Sequence, residues 1–236
     1  MTSAPLKPAS PISMTVRCFA LFLALLVPAI SQETVPAKKS KSDIQVKFLA
    51  EAFPESLGKV FLLLGETKSE SFELPVNRLS EPIPVPARTM VLKLVNKEVA
   101  LCPVTLPEAG KSFAVVLVTA KPAGFKPIVV RTDDPGFRAG DVYFINRSEK
   151  TVLGKLGTTP LVLKAGETTK SRPSGAVDNT YYDIAFAIRE ETGDKLISSS
   201  RWPIDNDLRS YLFFFTNAQG RTTFRAVDEY FTPAKP

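Results

Sequence analysis

The densest group of oxygen ligands in this chain is Asp205-Asn206-Asp207. Alternating carboxylate and amide oxygens can open a calcium loop, so Asp205 and Asp207 are the candidate metal ligands. A loop of the EF-hand kind also needs a glycine and a later glutamate at fixed offsets. Leu208-Arg209-Ser210-Tyr211 supplies neither. The plainer reading is an Asx turn between two strands. Close by stands the most distinctive string, Ser198-Ser199-Ser200-Arg201-Trp202-Pro203, which holds the only tryptophan. Trp202 reads as an aromatic platform for a sugar ring or peptide, with Arg201 and Arg209 beside it. The plainer and preferred reading is a core or inter-sheet anchor, with Arg201 pointing the opposite way. Trp202, Arg201 and Arg209 are therefore the candidate ligand-binding residues.

Other constellations carry less. The chain has no histidine, which removes Ser-His-Asp and Cys-His nucleophile activation and every histidine-ligated metal site. Asp133-Asp134 and Glu190-Glu191 are adjacent pairs. Neighbours on a strand point to opposite faces, so both pairs read as turn residues. Ser148-Glu149-Lys150 lacks the spacing of a Ser-x-x-Lys dyad. Cys102 has no cationic neighbour in Val99-Ala100-Leu101-Cys102-Pro103 and reads as a small buried apolar residue. No catalytic residue and no cofactor is assigned.

Strands must position these side chains. From Asp43 onward the sequence is short apolar runs separated by turn residues, and its twenty prolines oppose long helices. Ile44 to Leu49 alternates, Lys59 to Leu64 is apolar on both faces, and Ser69 to Leu74 alternates weakly. Glu81 to Pro86 cannot be a central strand, because each proline removes a ladder donor. Thr89 to Val95, Glu98 to Cys102, Ser112 to Thr119 and Ile128 to Arg131 complete the first half. In the second, Asp141 to Arg147 and Thr151 to Lys155 read as a hairpin. Leu161 to Leu163 and the turn Lys164-Ala165-Gly166-Glu167 follow. Tyr182, Ile184, Phe186 and Ile188 alternate with polar or small residues, as a half-buried strand does. Glu191-Thr192-Gly193-Asp194 turns the chain back into Leu196 to Trp202. Tyr211 to Phe215 is apolar on both faces, hence central, and Asn217-Ala218-Gln219-Gly220 leads into Thr222 to Tyr230.

The expected fold is all-β, with two tandem immunoglobulin-like β-sandwiches at residues 43–134 and 135–232. Each half has about the size of such a domain. Residues 233–236 read as a tail. Both halves share a loose strand order, without amounting to a sequence repeat.

Residues 1–31 read as a signal peptide. Arg17 precedes the apolar run Cys18 to Val27, and Pro28-Ala29-Ile30-Ser31 gives a small-residue exit, with cleavage expected after Ser31. The run is shorter than the roughly 20 residues a bilayer-spanning helix needs, so the mature chain is expected to have no transmembrane span. Met14 is an alternative start. Residues 32–42, with Lys38-Lys39-Ser40-Lys41, read as a flexible linker that could loosely attract anionic headgroups or polymers. The formal net charge is +6, and losing Lys7 and Arg17 with the leader lowers it by two. The charges are scattered and no nucleic-acid motif accompanies them, so no nucleic-acid partner is expected.

Gly140 to Ser148, Lys164-Ala165-Gly166-Glu167, Ser200-Arg201-Trp202-Pro203 and Arg209 to Phe214 resemble uncharacterised exported bacterial β-sandwich proteins, mainly over residues 137–231. That resemblance implies location and fold only. Two sandwiches after a signal peptide with a basic pI are also similar to periplasmic pilus chaperones. In those an Arg and a Lys in the interdomain cleft hold a C-terminal carboxylate, and no motif here maps them. The expected role is a binding or structural module of the cell envelope, periplasmic or extracellular, with an envelope protein or polysaccharide as partner. The competing classes are a carboxylate- or metal-assisted hydrolase and a chaperone-like protein.

Overall fold

A computed structural model describes residues 43–97, 99–120, 124–175 and 180–231. The expected signal peptide, the expected linker with its lysine cluster, Lys121 to Ala123 and the expected tail lie outside the described residues. Within them the apolar runs become sixteen strands and a single 3-10 turn at Glu55–Leu57, with no α-helix. The first half holds β1 (Gln45–Ala50), β2 (Val60–Leu64), β3 (Thr67–Lys68), β4 (Ile83–Pro84), β5 (Thr89–Leu94), β6 (Ala100–Thr105), β7 (Ser112–Thr119) and β8 (Phe125–Arg131). The second holds β9 (Val142–Asn146), β10 (Val152–Leu156), β11 (Thr159–Leu163), β12 (Thr168–Ser171), β13 (Tyr181–Glu190), β14 (Gly193–Pro203), β15 (Leu208–Thr216) and β16 (Thr222–Tyr230).

These form four four-stranded sheets, in the orders β3-β2-β5-β6, β4-β1-β7-β8, β12-β9-β15-β16 and β11-β10-β13-β14. The first two enclose a core that includes Phe48, Leu92, Phe113 and Val115. The last two enclose another that includes Phe144, Phe186, Leu212 and Phe214. Two β-sandwiches result, as expected from the alternation. The strand order is not that of an immunoglobulin constant domain, which would group strands 1-2-5-4 and 3-6-7. Here β1 pairs with β7, and β9 with β15, in parallel.

Adding eight to each strand number of the first sandwich gives the second. The likeness reaches single residues. Gly65 and Gly157 open the two-residue turns β2–β3 and β10–β11 with φ of 63° and 62°. At Gly157 a Cβ would sit 1.6 Å from the Ser174 carbonyl oxygen, so only glycine fits. The β5–β6 register shifts just after the pair Leu92–Cys102, and the β13–β14 register shifts just after Phe186–Ser198. The two halves are one topology built twice.

A third apolar layer joins the sandwiches. Leu49, Ala114, Val116 and Val118 from the outer face of β1 and β7 pack against Ile145, Tyr211, Phe213 and Val227 from β9, β15 and β16. The continuous apolar runs of β7 and β15 are thus buried on both faces.

Three readings of the chain change. Asp141 to Lys155 is not a hairpin: β9 and β10 lie in different sheets. Buried Asn146 sets the arch between them, its Nδ2 within 3.0 Å of the carbonyls of Lys150, Leu163 and Lys164, while its Oδ1 accepts from Ser148. Ser69 to Leu74 is not a strand, and Phe72 makes only an isolated bridge to Val60. Glu81 to Pro86 holds no central strand, as expected, and Pro84 is tolerated in β4 because that strand is a sheet edge. Pro103 is likewise on an edge strand, so β6 runs on through it to Thr105.

Candidate functional site

The equivalence of the two sandwiches locates a difference between them. In the first, Val46 pairs with Phe113 and Phe48 with Val115; in the second, Val142 pairs with Ser210 and Phe144 with Leu212. Ser210 therefore stands where Phe113, 1% exposed, fills the end of the first core. Counting back from the shared register shift, Tyr182 and Trp202 stand where Arg88 and Leu106 do. Ala226 and Asp228 stand where Val129 and Arg131 do, and Ser198 and Ser200 where Cys102 and Val104 do. Several large apolar positions have become small or polar. The edge between β6 and β8 is closed, whereas β14 and β16 stand further apart.

The result is a cavity of about 250 Å³ at that end of the second sandwich. Tyr182 and Trp202, a cross-strand pair, supply its aromatic wall. Val142, Leu208 and Ala226 supply apolar floor, and Asp141, Asp205, Asn206 and Asp228 supply oxygens. Trp202 is half-buried, with its ring edge-to-face on Phe186 at 6.3 Å. It is thus both a core anchor and a cavity wall, and the two readings of the tryptophan are compatible. Asp141 is held by Arg172 at 2.6 Å and by the Arg138 N–H at 2.6 Å. Asp228 accepts the Ser210 hydroxyl at 2.6 Å, and Asp205 accepts the Asp207 N–H at 2.8 Å.

The other expected residues lie elsewhere. Arg201 points to the outer face of its sheet, where it bonds Asp183 at 3.2 Å, donates to the Tyr181 hydroxyl and covers the Tyr181 ring. Asp207 is exposed and does not line the cavity. With Asp205 it forms an Asx turn, and no cluster of three or more acidic or cysteine side chains suited to a metal occurs among the described residues. Asp133 and Asp134 pair with Arg131 and Lys170, and Glu190 pairs with Lys150. Burial pushes the Cys102 thiol up to about 11, so it is not a reactive thiolate near neutral pH.

Arg209 faces away from the cavity, into the joint between the sandwiches. It bonds Glu229 at 2.7 Å and the Thr132 and Phe137 carbonyls at 2.7 and 3.2 Å. Its guanidinium lies 4.7 Å from the ring centres of both Phe137 and Phe231. Glu229 also accepts Lys47 of β1 at 2.9 Å and the Tyr211 hydroxyl at 2.9 Å. Burial pushes the Glu229 carboxyl up, but the hydrogen bonds and charges of Arg209 and then Lys47 outweigh it, leaving it below the ordinary 4.5. A carboxyl depressed on folding stabilises the protein above its unfolded pKa and loses that contribution as pH falls through the folded value. On acidification below about pH 4.5 the wild-type melting temperature should therefore fall toward that of Glu229→Gln. A gap between the two melting curves that stays constant from pH 7 to pH 3 would contradict this.

Sequence reading missed Asp141, Tyr182, Ser210 and Asp228. One signal was present: Ser210 opens the stripe Ser210, Leu212, Phe214 with a small polar residue where the pattern calls for a large apolar one. The chain matches no family model and no curated protein.

Proposed function

We propose that this chain is an exported binding module that captures a small organic ligand in the end cavity of its second sandwich. One observation carries the reading. The same topology is built twice, its end is sealed by Phe113 in one copy, and it is left open beside an aromatic pair and several oxygens in the other. A packed interior does not leave such a space without cost, and a concave site with few placed polar groups is the usual form of a ligand pocket. Export is supported by the basic flank, short apolar run and small-residue exit at Arg17 to Ser31. Among the described residues no helix is long and apolar enough to cross a membrane. The doubly buried joint between the sandwiches supports a stiff platform for the site.

Trp202 is the sole tryptophan, so its fluorescence reports on the cavity alone. Titration with a panel of amines, sugars and short peptides should shift that emission for some members. Ser210→Phe should refill the end as Phe113 does, leave a cooperative thermal transition, and abolish the response. A folded Ser210→Phe protein that still binds with wild-type affinity would refute the cavity as the site.

A further inference from the structure

The charge balance of the cavity narrows its occupant. None of its lining residues is a lysine or arginine, although the chain as a whole is basic. Of the three lining carboxylates, Asp141 is neutralised by Arg172, which also donates to the Ala139 carbonyl. Asp205 and Asp228 have no ion-pair partner among the described residues; each accepts only a neutral donor. Two unneutralised carboxylates therefore share a concave, partly apolar space with the rings of Trp202 and Tyr182. Asp205 is half-buried and Asp228 exposed, so solvent screens both charges in part; both still lend negative potential to the concave space, and the faces of aromatic rings carry potential of the same sign. An anion is repelled on both counts, and a neutral molecule leaves the carboxylates unbalanced.

Resting on the binding reading above, we infer that the ligand is a small organic cation. Its ammonium head lies between the Trp202–Tyr182 wall and the carboxylates of Asp205 and Asp228, and its apolar substituents lie on Val142, Leu208 and Ala226. The first sandwich lacks this chemistry at the equivalent place, where Arg88 lies over Phe113 at 5.9 Å and Arg131 replaces Asp228.

The test uses two probes of one shape, choline and its uncharged isostere 3,3-dimethylbutan-1-ol. Each is titrated against the mature chain at fixed ionic strength, followed by Trp202 fluorescence and by calorimetry. Choline should bind at least about tenfold more tightly than the alcohol, the range expected when a cation meets a ring and a carboxylate out of bulk water. Asp205→Asn/Asp228→Asn should remove that preference, so that choline binds no more tightly than the alcohol. Both substitutions keep an oxygen that accepts the Asp207 N–H and the Ser210 hydroxyl, so the fold is preserved. Equal affinity for the two probes, or a preference that survives the double substitution, overturns the cation inference while the cavity remains a binding site. A response to neither probe overturns the cation inference too; if every compound in the wider panel is also silent, the binding reading falls with it.

Discussion

Arg209→Ala should destabilise the protein by about 3–5 kcal/mol, the range for removing one partner of a buried ion pair. The Arg209 side chain is 4% exposed and that of Glu229 is 8% exposed, so water cannot replace the lost partner. Two further groups would be orphaned, the carbonyls of Thr132 and Phe137, and the rings of Phe137 and Phe231 would lose the cation between them. Lys47 stays on Glu229, which places the loss toward the lower end of the range. Arg209→Met/Glu229→Met should lose less than Arg209→Ala, because no charge is then left unpaired in the joint. Urea unfolding followed by circular dichroism measures both. A loss below about 1 kcal/mol for Arg209→Ala would mean that the network does not hold the sandwiches together.

Phe113→Ala should cost about 3–5 kcal/mol, the usual loss for truncating a buried phenylalanine. The ring lies at the end of the first core, beneath the Arg88 guanidinium, and Arg88 is itself tied to the carbonyls of Pro107 and Gly110. Deleting it should open in the first sandwich a space like the one Ser210 leaves in the second. The comparison with Ser210→Phe is then a matched pair: one variant empties an end built to be full, the other fills an end built to be empty. Phe113→Ala should lower the unfolding midpoint strongly, and Ser210→Phe should leave it near wild type. Similar midpoints for the two variants would contradict the assignment of opposite roles to the two ends.

Much of the fold was legible because side-chain alternation is a local property. Ser112–Thr119 and Thr222–Tyr230 fall where the runs of residues place them, and Tyr182 to Ile188 buries the expected face of β13. The arch at Asn146 was not legible, because a polar loop of that length serves a hairpin or a sheet crossing equally well. The distinction depends on which carbonyls the Asn146 amide meets, and Leu163 and Lys164 come from a later strand and its turn.

The site was legible in part. Trp202 and Asp205 do meet in one cavity, but Arg201 and Arg209 do not reach it. On a strand, residues next to each other face apart, and Arg201 shows this against Trp202. Arg209 lies one position before Ser210 and by the same rule turns into the joint rather than the cavity.

By itself, the sequence determined most of the strands, the sandwich class and the exclusion of histidine chemistry, since composition and the period of two need no partner to be read. Only the tertiary structure decided what covers the second face of β7 and β15, because a run apolar on both sides records burial and not the identity of the neighbour. Only it decided that Ser210 and Phe113 are counterparts, because that rests on the pairings of Val46 with Phe113 and of Val142 with Ser210, which join residues more than sixty positions apart through hydrogen bonds that no local pattern encodes.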